Sequence, residues 1–140
     1  MYAQRIVSEV QARKGGKMMN VKIDEREGSK VAVIESTDVL VNEPQDALDL
    51  MATLMHTHDC TKIVLNASSL NKNFFDLKTG IAGEILQKFS NYQIKLAIVG
   101  DFSIYTSKSL KDFIFESNKG NRVFFLSSEE EAIDRLHNAK

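Results

Sequence analysis

What is scarce in this chain narrows its class before any motif is read. There is one cysteine, Cys60, so no disulfide can form within the chain, and a reducing, cytoplasmic setting is expected. There is no basic excess: 18 Lys and Arg stand against 19 Asp and Glu, a net charge of −1. A protein that grips a phosphate backbone usually carries a basic stripe, so no nucleic-acid partner is expected. Long apolar runs are missing too. The longest span a few residues, against the roughly 20 that cross a bilayer, so no membrane partner is expected. Gln4, Arg5, Ser8 and Glu9 break any secretory apolar core at the start. Internal repeats and low-complexity segments are absent. What remains is an ordinary globular composition, 43% hydrophobic and 26% charged over 140 residues. That length suits one domain able to bury about two-thirds of its unfolded surface without staples.

Residues 1–18 read as a flexible appendage. Ile6 and Val10 could share a helix face, but nothing extends the pattern, and Lys14-Gly15-Gly16-Lys17 breaks it. The domain is expected over 19–140. Asn20 to Glu25 alternates, with Val21 and Ile23 inward and Lys22 and Asp24 outward, as in a half-buried strand. A turn at Glu27-Gly28-Ser29 leads to Val31-Ala32-Val33-Ile34, a run suited to a strand covered on both faces. The two strands form a hairpin. Asn42 with Gln45 resembles a capping box around Pro44, opening a helix that buries Ala47, Leu48, Met51, Leu54 and Met55.

Ile63-Val64-Leu65 is the third expected strand, with Asn66 at its end, and a polar loop follows to Asn73. A helix from Asp76 lines up Leu77, Ile81, Ile85 and Phe89. Leu96 to Val99 is a fourth strand. A third helix starts between Thr106 and Ser109, buries Leu110, Phe113 and Ile114, and ends on Gly120 as a left-handed cap. Val123 to Leu126 is the fifth strand, and Ser128-x-x-Glu131 caps the last helix, with Ala132, Ile133 and Leu136 inward. The order ββαβαβαβα predicts an α/β fold: a mostly parallel five-stranded sheet with an N-terminal hairpin and right-handed crossovers.

In such a sheet ligands gather beyond the carboxyl ends of the strands. Asn66, Asp76, Thr79, Asp101, Ser103, Tyr105, Ser107 and Lys108 are expected along that edge. Asp76 is read as an N-cap that accepts a backbone hydrogen bond, and Thr79 as an exposed hydroxyl open to phosphorylation or to an anion. Gly80 and Gly83 each cost a helix about 1 kcal/mol relative to alanine, which points to tight packing on the sheet or to contact with a partner. Thr106, Ser107 and Ser109 supply more hydroxyls than one cap needs, so with Lys108 they could hold an anion. The spacing is not that of a Walker A loop. Asp101, after a strand and a glycine, could serve as a general base or a metal ligand, with a turn carboxylate the commoner case. His56 and His58 point about 200° apart on their helix and, with Asp59 and Cys60, fit no standard zinc pattern. No metal and no cofactor are expected. His137 stands alone near the end, and no Ser–His–acid set can be assembled by inspection. Phe102, Phe115 and Tyr2 are candidates for exposed aromatic surface.

The run F-F-D-L-K-T-G-I-A-G-E-I-L-Q-K-F at Phe74–Phe89 carries a resemblance. With it go Asn91-Tyr92, K-L-A-I-V-G-D-F-S at Lys95–Ser103 and S-K-S-L-K-D-F-I-F-E-S-N-K-G at Ser107–Gly120. Together with Ala47-Leu48-Asp49-Leu50-Met51 these resemble a bacterial family of unknown function, domain of unknown function 4180, over roughly Met19 to Leu136. The resemblance implies no activity. The element order is also similar to that of STAS domains, the type found in anti-anti-sigma factors. There a hydroxyl residue at the start of the second helix, in an Asp-Ser-Ser-Gly-like motif, is phosphorylated by a partner kinase. Asp76-Leu77-Lys78-Thr79-Gly80 stands in that place with one extra residue and without the two serines, leaving Thr79 as the hydroxyl.

Three functions are therefore expected in descending order. The first is a non-enzymatic STAS-like regulatory module that binds a protein partner through the second-helix edge. The second is a protein that binds a small anionic ligand with the 101–109 loop. The third is an enzyme using Asp76 and Asp101 as an acid/base pair, which requires one raised pKa.

Overall fold

The computed structural model describes residues 5–14 and 17–139, with side chains from residue 19 onward. Its sheet has six strands: β1 (Arg5–Lys14), β2 (Lys17–Arg26), β3 (Ser29–Glu35), β4 (Lys62–Asn66), β5 (Lys95–Val99) and β6 (Val123–Leu126). They lie side by side in chain order. β1, β2 and β3 pair antiparallel, and β3 to β6 pair parallel. Helices α1 (Pro44–His58), α2 (Ile81–Asn91) and α3 (Lys108–Lys119) make the crossovers, and α4 (Glu129–Asn138) follows β6.

The expected five strands and four helices are β2 through α4. β1 is additional. Arg5–Lys14, which sequence places in an appendage, pairs with β2 from Arg5↔Glu25 to Lys14↔Lys17, with a register shift between Ile6 and Ser8. Tyr2 and the Gly15-Gly16 break lie outside the described residues.

Neighbouring parallel strands joined by right-handed crossovers put all their connecting helices on one face. On that face Ala32, Ile34, Ile63, Leu65, Leu96 and Ile98 pack with Leu50 and Leu54 of α1, Ile85 and Phe89 of α2 and Leu110 of α3. α4 covers the other face alone, where Val31, Val33, Val64, Ala97 and Phe124 meet Ala132, Ile133 and Leu136. The alternation along each strand is the period of the pleat, and both faces are dry, as the apolar run in β3 requires. A sheet wound in chain order never reverses direction, so it has no switch-point crevice of the kind that holds ligands in doubly wound folds.

Several local expectations change. The β2–β3 hairpin closes through Glu27 at φ 48° and Gly28 at φ 83°, the pair of positive values that a tight two-residue hairpin turn needs. Pro44 takes the first helical position of α1, which makes Glu43 the cap. Asp46, rather than Gln45, reaches back, accepting from the N–H of Asn42 at 2.9 Å and of Glu43 at 3.2 Å. Met51 is core, but Met55 is 41% exposed, because the stripe on α1 runs through Leu50 instead. Gly120 is not a left-handed cap. Its φ of −84° and ψ of −157° are extended, and its N–H donates to the Ser117 carbonyl at 3.0 Å. Cys60 is the apolar filler expected, and burial pushes its thiol up to about 11.

Candidate functional site

The carboxyl edge is built from one turn repeated. Asn66, ending β4, accepts at Oδ1 from the Ser68 N–H at 3.0 Å and the Ser68 hydroxyl at 2.8 Å. Asp101, just past β5, accepts from the N–H and hydroxyl of Ser103 at 3.0 and 2.5 Å. Each bond pair closes an Asx turn and opens a short 3-10 segment. The two turns sit side by side because Asn66 pairs with Val99. Gly100 permits this. A Cβ there would lie 2.8 Å from the Cβ of Ala67. The hydrogen bonds from Ser103 hold the exposed Asp101 carboxyl below its usual range. That is the wrong direction for an acid/base partner at neutral pH.

The stretch after β4 is not a plain polar loop. It makes three 3-10 turns, with Leu70, Phe74 and Phe75 buried. Residues 69–71 run beside the β3–α1 link, joined by a parallel bridge between Val41 and Leu70. α2 starts at Ile81, five residues after Asp76, whose carboxylate makes no capping bond. Thr79 takes that part. Its hydroxyl donates toward the carbonyls of Asp76 at 2.8 Å and Asn73 at 3.0 Å, and accepts from Ile81 N–H at 3.3 Å. Gly80 adopts φ 80°, which turns the chain from the 3-10 segment into α2. Tight packing explains neither glycine. Among the described residues a Cβ at Gly80 or at Gly83 would meet nothing within 4 Å, and both glycines are exposed.

Along the 101–109 loop the expected anion ligands separate. Ser107 is the cap, accepting from Leu110 N–H at 3.3 Å. Lys108 turns along α3 to Asp112 at 2.7 Å, and that partner raises its pKa. Tyr105 stacks on Phe75 with ring centroids 5.1 Å apart, and burial raises its phenol. Phe102 is not exposed surface. Its ring lies 5.9 Å from Phe75 and 5.5 Å from Phe125, bedding the edge on aromatic contacts. Phe115 is 61% exposed, with the Lys119 ammonium 4.4 Å over its ring. Val39, Asn42, Leu70, Phe75 and Tyr105 help to line an open hollow of about 490 Å³.

The opposite, amino edge holds a polar set that sequence does not reveal. Asp24 of β2 pairs with Val31 and so faces α4, where it is 2% exposed rather than outward. His137, in the last turn of α4, brings Nε2 to 2.8 Å from Asp24 Oδ1 and Nδ1 to 2.8 Å from the Ser29 hydroxyl. Lys62 Nζ donates to Ser29 Oγ at 3.1 Å and to the Ala139 carbonyl at 3.3 Å. Arg26 Nε lies 3.2 Å from Asp24 Oδ1 as an ion pair not aligned for a hydrogen bond, and its Nη1 donates to Asp134 at 2.6 Å. Burial outweighs the Asp24 contact and lowers the pKa of His137, and burial likewise lowers Lys62. The Ser–His–acid set that inspection does not find is thus assembled by the fold. The one signal in the sequence is Asp24 itself, placed on a strand face that α4 covers.

Among the described residues no group of three His, Cys, Asp or Glu side chains is placed to hold a metal ion, and no helix is long and apolar enough to cross a membrane. A family model described as a domain of unknown function, DUF4180, matches residues 26–136. No curated protein and no solved structure matches the chain.

Proposed function

The chain belongs to the DUF4180 family, and from that premise we propose that it is a bacterial, cytoplasmic regulatory module of STAS-like design that docks on a protein partner through the start of α2. The reading is supported by the β2-to-α4 element order and, above all, by Gly83. An exposed glycine inside a helix costs about 1 kcal/mol relative to alanine. Among the described residues nothing lies within 4 Å of where its Cβ would sit. A bare patch of backbone is useful where another surface must come close. Lys78, Thr79, Gly80 and Glu84 are exposed around it. The STAS likeness is an analogy of architecture, so the site has to carry the function.

The test compares Gly83→Ala with Gly83→Arg in affinity capture from the host. Alanine adds one methyl to the bare patch and should stabilise α2 while weakening partner capture. Arginine should abolish capture without lowering the melting temperature. A partner retained equally by both variants would remove this surface from consideration. An anion site at 101–109 draws less support, because Ser107 and Lys108 are committed to a cap and to Asp112.

A further inference from the structure

We propose that Ser29 is a nucleophile, activated by His137 and Asp24, toward esters of small polar acids. The argument begins with hydrogen-bond direction. An ionised Asp24 can only accept, so Nε2 of His137 carries the proton of the 2.8 Å contact. A neutral imidazole then has its lone pair on Nδ1, which accepts from the Ser29 hydroxyl at 2.8 Å. The serine oxygen in turn accepts from Lys62 at 3.1 Å. The chain Lys62 → Ser29 → His137 → Asp24 therefore runs in one direction, with a base on the serine proton and an orienting carboxylate behind the base. Those are the geometric roles that define an activated serine.

Three further observations fit a working site. Asp24 Oδ2 is buried without a hydrogen-bond partner among the described residues, a cost that a purely structural tether need not carry. The β1–β2 register shift falls opposite Asp24, where Ile6 is its partner, and such irregularities recur beside active sites. Ser29 also stands between two open hollows. One, of about 310 Å³, is shared with Arg26, Asp134 and His137. The other, of about 570 Å³, is shared with Lys30 and Lys62. The charged walls favour a small polar acyl group over a fatty chain.

In the reaction, Ser29 Oγ bonds to the acyl carbon as its proton passes to Nδ1 of His137. The Lys62 ammonium is placed to follow the negative charge onto the carbonyl oxygen. Collapse of the adduct breaks the bond to the alcohol oxygen, which leaves with the proton from Nδ1. Water then repeats the sequence on the acyl-serine, releasing the acid and restoring Ser29. Ester and water are consumed, and acid and alcohol are formed.

The test treats the full chain with a fluorophosphonate probe and with p-nitrophenyl acetate, mapping adducts by mass spectrometry. One adduct on Ser29 is expected. Labelling and turnover should vanish in Ser29→Ala, fall at least tenfold in His137→Gln, and decline in wild type as acid protonates His137. Asp24, Arg26 and Lys62 face that imidazole and set where the decline falls. Should His137→Gln not fold, Ser29→Cys serves instead. Its thiol should react with iodoacetamide faster than a free cysteine near neutral pH. A folded wild type with no adduct on Ser29 overturns the proposal, as does labelling that survives His137→Gln. Either result would leave the chain as a fastening for α4.

Discussion

The two edges of the parallel sheet use the same side chains for opposite ends. At the carboxyl edge Asn66 and Asp101 each bond a serine two residues away, and Ser107 bonds an N–H three residues away. At the amino edge His137 reaches Asp24 across 113 positions and Ser29 across 108. The first edge is exposed and made of turns. The second is largely dry, with Asp24 and His137 side chains only 4% and 6% exposed. A dense local run of hydroxyls and carboxylates therefore marks a place where the backbone bends. Chemistry that needs several groups at one point has been collected from β2, β3, β4 and α4.

The sharpest way to break this contrast is to remove one carboxylate from each edge. Asp24→Ala strips a buried ion pair and leaves Arg26 and His137 facing an empty place, a change that costs about 3–5 kcal/mol. Asp101→Ala removes a turn bond in solvent and should cost far less. Urea unfolding of both variants measures the gap, and equal losses would mean that the edges do not differ in kind. Next in size is Gly100→Ala. The added methyl meets Ala67 and must push the two turns apart, at about 1–3 kcal/mol. A melting temperature unchanged from wild type would show the contact to be slack.

The smallest effect is one of pH. His137 is held neutral, below its ordinary pKa, by burial. The unfolded chain then takes up a proton more readily than the folded one. Its share of stability is complete above about pH 6.5 and is lost progressively as the pH falls from there. Melting curves between pH 7.5 and 5.5 should drop more steeply for wild type than for His137→Asn. Parallel slopes would mean that the imidazole does not feel its surroundings.

The same division explains how much could be read without coordinates. The strands β2 to β6 and the four helices are written in local periodicity: Val31 to Ile34, Leu96 to Val99, and the stripe Ile81, Ile85, Phe89. Ser128 was legible as a cap because its partner is three residues on. The start of α2 was not, since Asp76 and Thr79 are both capping types and only the left-handed turn at Gly80 decides between them. Residues 5–14 carry no clear alternation, so their place beside β2 depends on a neighbour rather than on their own pattern. The Ser29 set lay beyond reading altogether. Lys62 is 33 positions from Ser29, and the two side chains that His137 meets are 108 and 113 positions away.

The order in which the chain leaves the ribosome gives the long reach of His137 one more meaning. Each parallel strand can pair as soon as its own crossover is complete, because its partner is the preceding strand. Closing the contact between His137 and Asp24 spans 113 positions. By loop-closure entropy this costs about 1 kcal/mol more than closing a crossover of about 30 residues. The sheet can thus exist before Ser29 has a base beside it. Whatever Ser29 does begins only once α4 has been made and has docked, which builds a delay into synthesis and ties the reactivity of the serine to the integrity of the last helix.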